Sequence, residues 1–159
     1  MTPDRRSLQD ELHQSRPFRS KREECLIAIL RTGAVVRRPV VRVVEDRGLS
    51  LAQYNVLRIL RGAGDAGLPT LAIRERMIEE AAGITRLIDK LEASGHVRRE
   101  RDATDRRQVF CRITEAGLRL LAELTPAVEA ATDAGLAHLD DEHVDALLAL
   151  LADVREGVR

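Results

Sequence analysis

EAAGITRLIDKLEASGHVRRERDATDRRQVFCRIT, from Glu80 to Thr114, divides into a helix, a basic hairpin and the start of a second helix. Ile84, Leu87, Ile88 and Leu91 recur at i, i+3, i+4 and i+7, the spacing of one buried helical face. The other face carries Thr85, Arg86, Asp89 and Lys90, all able to reach outward. Gly95 stands where a left-handed C-cap is wanted. Val97–Arg101 and Gln108–Ile113 then read as two strands, with Val97, Val109, Phe110 and Ile113 as their apolar content. Between them lie the turn formers Asp102, Ala103, Thr104 and Asp105. A polar-faced helix followed by an arginine-tipped β-hairpin is the layout of a winged helix-turn-helix.

The rest of the chain has to build around that unit. At 159 residues it is long enough to bury a substantial core as one domain. With one Tyr, two Phe and no Trp, that core must be aliphatic. Helix formers dominate, so the expected fold class is mainly α with a small β-wing. The net charge is zero, which alone argues against a nucleic-acid binder, but the charge is unevenly distributed. Residues 98–114 carry a net +3 and residues 115–159 a net −7. A basic wing beside an acidic C-terminal region gives phosphate one face to approach and another to avoid.

Other chemistries find no foothold. Cys25 and Cys111 are far apart without CxxC spacing, and the four histidines show no metal-ligand pattern. No nucleophile–base pair or phosphate loop is evident; Gly62, Gly64 and Gly67 do not follow a strand in a βαβ unit. An enzyme, a cofactor and a metal are therefore not expected. No apolar run approaches the roughly 18 residues of a membrane span, and the first residues lack the apolar core of a secretory signal. The chain reads as soluble and cytoplasmic.

Along the chain, residues 1–20 read as a polar arm with a helical piece around Leu8–Leu12. A long helix follows over Lys21–Asp46, with Gly33 and Pro39 expected to kink or divide it. Ser50 is a natural N-cap for a helix over Leu51–Arg61. Gly62, Gly64 and Gly67 suggest a flexible link, and Pro69 then heads a short helix, capped by Thr70 or its neighbours, in which Ile73 and Met77 share a face. Residues 78–82 form the turn before the polar-faced helix. Thr114 is placed to cap a helix from Glu115, with Leu118, Leu121 and Leu124 as its stripe and Pro126 and Gly135 as interruptions. Asp140 and Asp141 open the last helix, where Val144, Leu147, Leu148, Leu151 and Val154 make a dense apolar stripe. Such a stripe on a terminal helix needs a partner, and a homodimer is the expected answer.

The central stretch also resembles the MarR family of bacterial transcription regulators. The matching residues are Thr85-Arg86-Leu87, Asp89, Leu91-Glu92 and Gly95, then Asp105-Arg106-Arg107, and Ile113-Thr114 after five more residues. Gln53-Tyr54 resembles a pair common in the family's second helix, whereas Glu79 and Glu80 depart from the Ser, Thr or Pro that often opens its recognition helix. Beyond the arm at 1–20, the resemblance implies a MarR-like domain over 21–159. Within that domain, 21–48 and 115–159 would form a helical dimerisation layer and 49–114 the winged helix-turn-helix lobe.

Double-stranded DNA is the expected partner, bound by a homodimer on a pseudo-palindrome with half-sites about one turn (~34 Å) apart. Thr85 and Arg86 are candidates for base edges, and Lys90 for phosphate; Asp89 faces the same way or serves the scaffold. The resemblance implies that Arg107 enters the minor groove at the wing tip, steadied by Asp105, while Arg106, Arg101, Arg99 and Arg98 add backbone contacts. It further implies a repressor released by a small-molecule effector, for which Arg31, Arg37, Arg38 and His13 offer positive charge; plain helix-surface charge is the alternative reading. Another branch of the family senses hydroperoxides through a cysteine near the position of Cys25. That redox-sensing alternative lacks the supporting tyrosines, apart from Tyr54. A third reading, a winged helix that binds protein, is opposed by six arginines in the seventeen residues 98–114.

Overall fold

The computed structural model describes residues 6–79, 83–101 and 108–158. Seven helices and a three-stranded sheet are assigned among them: α1 (Leu8–Glu11), α2 (Lys21–Glu45), α3 (Leu51–Ala63), a 3-10 turn (Gly64–Ala66), β1 (Leu68–Pro69), α4 (Thr70–Glu75), α5 (Ile84–Ala93), β2 (Val97–Arg101), β3 (Val109–Ile113), α6 (Glu115–Leu136) and α7 (Asp141–Glu156). The architecture is therefore mainly α with a small β-wing, as the sequence predicts. By internal contacts the chain divides into two compact units, Met1–Arg38 and Pro39–Arg159, with the division falling inside α2.

In the first unit, the Ser7 hydroxyl caps α1 by accepting from the Asp10 N–H at 3.1 Å. Arg31 Nε lies 3.8 Å from Glu11 Oε2. The first turn of α2 is fixed by Glu23, whose Oε2 accepts from the Arg19 N–H at 2.6 Å. That hydrogen bond lowers the carboxyl pKa of Glu23.

The second unit holds the core. Val44, Leu49, Tyr54, Val56, Leu57, Leu60, Ile73, Ile84, Ile88, Leu91, Val97, Cys111, Leu121 and Leu124 are all buried, an almost wholly aliphatic set. Two helices of this unit start on caps legible in their sequence. Ser50 and Gln53 form a reciprocal capping box at α3, with Gln53 N–H to Ser50 Oγ at 3.2 Å and Ser50 N–H to Gln53 Oε1 at 2.9 Å. Asp140 caps α7 by accepting from the His143 N–H at 2.9 Å.

At the end of α5, Gly95 adopts φ +75°. Its N–H reaches Glu92 O at 2.9 Å and that of His96 reaches Leu91 O at 2.9 Å, the paired bonds of a Schellman motif. The chain then enters an antiparallel hairpin in which Val97 faces Ile113, Arg99 faces Cys111 and Arg101 faces Val109. β1 adds to the other side of β3, Leu68 facing Cys111 and Pro69 facing Phe110, giving the order β1-β3-β2.

Several expectations need correction. α2 is one helix through Gly33 and Pro39 and not two, and α6 is one helix through Pro126 and Gly135. Both prolines lie on exposed positions, where water can serve the carbonyl that a missing N–H leaves behind. Gly62 belongs to α3, and Gly64–Ala66 forms a 3-10 turn in place of a flexible link. Gly67 closes that turn against β3: a Cβ there would lie 2.6 Å from Cys111 O, with φ at +65°. No side chain caps α4, whose N-cap is Pro69, and Met77 lies beyond its end. Leu118 is 38% exposed, so the buried stripe of α6 is Leu121 and Leu124. Asp141 falls in the first turn of α7, not at its cap.

Candidate nucleic-acid interface

The two faces of α5 separate as its periodicity demands. Ile84, Ile88 and Leu91 are buried, and Leu87 packs against the core they form. Thr85, Arg86, Asp89 and Lys90 are all exposed. The helix thus presents a short polar edge to solvent while its apolar edge is locked to α3 and α4.

What fixes the hairpin against this helix is Arg99. Its Nη1 donates to Glu92 Oε2 at 2.6 Å and its backbone N–H to Glu92 Oε1 at 3.1 Å. Its Nη2 lies 2.7 Å from Asp89 Oδ1. One guanidinium therefore ties two carboxylates of α5, one turn apart, to strand β2. Partial burial disfavours the charge on Arg99, but Asp89 and Glu92 outweigh it and hold the pKa above the ordinary arginine value. On the neighbouring strand, burial pushes the Cys111 thiol pKa up, and Thr70 Oγ1 stands 4.0 Å from its sulfur.

A second ion-pair group braces the hairpin from within. Glu100 Oε1 lies 3.0 Å from Arg98 Nε, and its Oε2 lies 3.1 Å from Arg112 Nε. Arg112 Nη1 also donates to Asp65 O at 2.9 Å, reaching the turn before β1. Arg98, Arg99 and Arg112 thus all have carboxylate partners, whereas Arg101 is exposed at the end of β2. Thr114 closes the arrangement: its hydroxyl donates to Gly95 O at 2.7 Å and accepts from the Gly117 N–H at 3.1 Å. One side chain joins the end of α5 to the start of α6.

Thr85, Arg86, Asp89 and Lys90 lie on α5 and Arg99 and Arg101 on β2, and the structure brings Asp89 and Arg99 into contact. Asp105, Arg106 and Arg107, expected at the wing tip, lie outside the described residues, as does Glu80. Arg99 and Asp89 occupy scaffold positions as each other's partners. The sequence offers Glu92 only as part of the family motif and gives Glu100 no role, yet these two acids organise the arginines. The available signal was the i, i+3 spacing of Asp89 and Glu92, which sets two carboxylates on one helix edge before an arginine-bearing strand. Of the residues weighed for effector sensing, Arg31 pairs with Glu11, His13 and Arg38 are exposed, and Cys25 is exposed. No helix among the described residues is long and apolar enough to cross a membrane.

Comparison with known proteins agrees with this geometry. Residues 49–109 match the family model described as the MarR family. The HTH-type transcriptional regulator MhqR of Bacillus subtilis (strain 168) is 32% identical over 111 residues, covering 70% of this chain and 75% of that protein. Among solved structures, a MarR transcription factor from Planctomyces limnophilus is 34% identical, with a TM-score of 0.65, covering 86% of this chain and 98% of that one. CouR from Rhodococcus jostii RHA1, solved bound to p-coumaroyl-CoA, is 26% identical with a TM-score of 0.72, covering 86% of this chain and 95% of that one.

Proposed function

Since the chain belongs to the MarR family of DNA-binding transcription regulators, we propose that it is a homodimeric repressor which binds a pseudo-palindromic operator and leaves it on binding a small-molecule effector. The observation that carries this reading is the exposed Thr85–Arg86–Lys90 edge of α5, held beside an arginine-rich hairpin by the Arg99 clamp. A helix with an exposed polar edge suits the major groove, and a basic hairpin at its side suits the flanking backbone and minor groove. Arg86 reads a base edge, Lys90 holds phosphate, Arg101 and Arg106 add backbone contacts, and Arg107 enters the minor groove with Asp105 beside it.

Residues 49–114 form the DNA-binding lobe in this reading, and 21–48 with 115–159 the dimerisation layer. Exposed apolar side chains support the second assignment: Leu147, Leu148, Leu150 and Val154 on α7, and Leu26 and Leu30 on α2. CouR in complex with p-coumaroyl-CoA supports effector binding. Selection of random-sequence DNA with the purified chain tests the reading. It should enrich a pseudo-palindrome whose half-sites lie about one helical turn apart, and a failure to enrich any sequence would contradict it.

A further inference from the structure

We infer that Arg112 is a positioning residue for DNA binding, a second clamp that fixes the hairpin to the 3-10 turn behind α3. Its part in DNA binding rests on the reading proposed above; the clamp itself does not. Side chains alternate across a strand, so neighbours on β3 face opposite ways. Cys111 is buried on the inner face, and Arg99, its register partner, meets α5 there. Arg112 therefore stands on the outer face. Its Nη1 donates to Asp65 O at 2.9 Å and its Nε to Glu100 Oε2 at 3.1 Å. One guanidinium thus joins both strands of the hairpin to the turn that closes α3.

The surroundings of Arg112 are shaped to hold it. It faces Arg98 across the ladder, and like charges directly opposite would push the strands apart. Glu100 shares the outer face and answers both, 3.0 Å from Arg98 Nε and 3.1 Å from Arg112 Nε. Gly67 makes room: a Cβ there would lie 2.7 Å from Arg112 Cγ and 2.6 Å from Cys111 O, at a φ of +65°. Exposure separates the two arginines, since the side chain of Arg112 is 24% exposed and that of Arg98 60%. Arg112 serves the fold, and Arg98 is the one of the pair that can reach outward.

The backbone gives this junction little help. β1 contributes two residues of ladder, Leu68 and Pro69, and a proline has no N–H to donate. The outer face of the hairpin therefore depends on Arg112 as its inner face depends on Arg99. Held on both faces, the hairpin is ordered before DNA arrives, and binding does not bear the cost of ordering it.

Hydrogen–deuterium exchange of the full chain tests the clamp without DNA. Arg112→Met, which keeps the stem of the side chain, should speed exchange of the amides in 97–101 and 109–113 by about tenfold. The amides of α3 and α5 should stay at the parent rate. Arg112→Lys, which keeps the charge but loses the fork, and Glu100→Gln should each give a smaller rise at the same amides. Unchanged hairpin exchange in all three variants overturns the clamp. A rise spread equally over α3 and α5 would make Arg112 an ordinary stability contact and also overturn it. Affinity of Arg112→Met for the selected DNA should fall by about tenfold at the parent salt slope. A slope shallower by about one would make Arg112 a phosphate contact, and unaltered affinity would remove its part in binding; either overturns the inference. If the unsubstituted chain selects no DNA, the regulator reading fails and the exchange measurement still decides the clamp.

Discussion

Arg99 grips Glu92 twice, with its guanidinium on Oε2 at 2.6 Å and its backbone N–H on Oε1 at 3.1 Å. The first bond is charge-assisted and the second fixes the start of β2, so both position and charge of the strand depend on one carboxylate of α5. This makes Arg99 a positioning residue between the polar helix and the hairpin, with Asp89 as its second anchor.

Arg99→Ala should therefore destabilise the chain by about 1–2 kcal/mol, a modest figure because Asp89 and Glu92 are partly solvated. DNA affinity should fall while the slope of log affinity against log salt stays at the parent value, because no phosphate contact is lost. Thermal melts and salt-series titrations check the two halves separately. A slope shallower by about one would instead place Arg99 on phosphate.

Arg86 and Lys90 lie side by side on α5 but have different proposed tasks. Arg86→Ala should cost about 1–3 kcal/mol on the preferred operator and much less on scrambled DNA. Lys90→Ala should weaken both DNAs alike and reduce the salt slope by about one. Competition titrations with the two DNAs separate these outcomes.

Thr114 connects α5 to α6 through one hydroxyl. Thr114→Val keeps the shape but loses both the cap and the bond to Gly95, and should cost about 1–2 kcal/mol in urea unfolding. Thr114→Ser should restore most of it. Equal stability of all three would mean that the hydroxyl contributes nothing.

The two cysteines should differ sharply in reactivity. Cys25 is exposed, whereas Cys111 is buried between β1 and β2 with its thiol pKa raised. At neutral pH Cys111 stays protonated, and the thiolate is the reactive form. An aromatic disulfide reagent should label one thiol per native chain, at Cys25, and the second only in denaturant. Two fast thiols in the native state would contradict this packing.

These relationships divide by how local they are. The buried edge of α5, the caps Ser50, Thr114 and Asp140, and the Gly95 turn each depend on residues within a few positions, and their patterns are visible in the chain. β1 is not: Leu68–Pro69 pairs with Cys111 and Phe110, more than forty positions away, and Pro69 reads locally as a helix start. The partners of Arg99 were hidden for a similar reason. An arginine on a strand and two acids on the preceding helix look like independent surface charges until the hairpin brings them together. Pro39 and Pro126 do not divide their helices, because the lost hydrogen bond and the crowding of the preceding turn are local costs that the remaining turns of a long helix outweigh. The wing-tip residues Asp105, Arg106 and Arg107 are assigned on the family motif alone.

The central claim is sequence-selective DNA binding through the α5 edge and the hairpin. Fluorescence anisotropy of labelled DNA from upstream of the chain's own gene, against a scrambled control at several salt concentrations, tests it most directly. The account predicts tight binding to the upstream DNA, at least about a thousandfold weaker binding to the control, and affinity that falls steeply with salt. Equally weak binding to both DNAs, or none even at low salt, would contradict it.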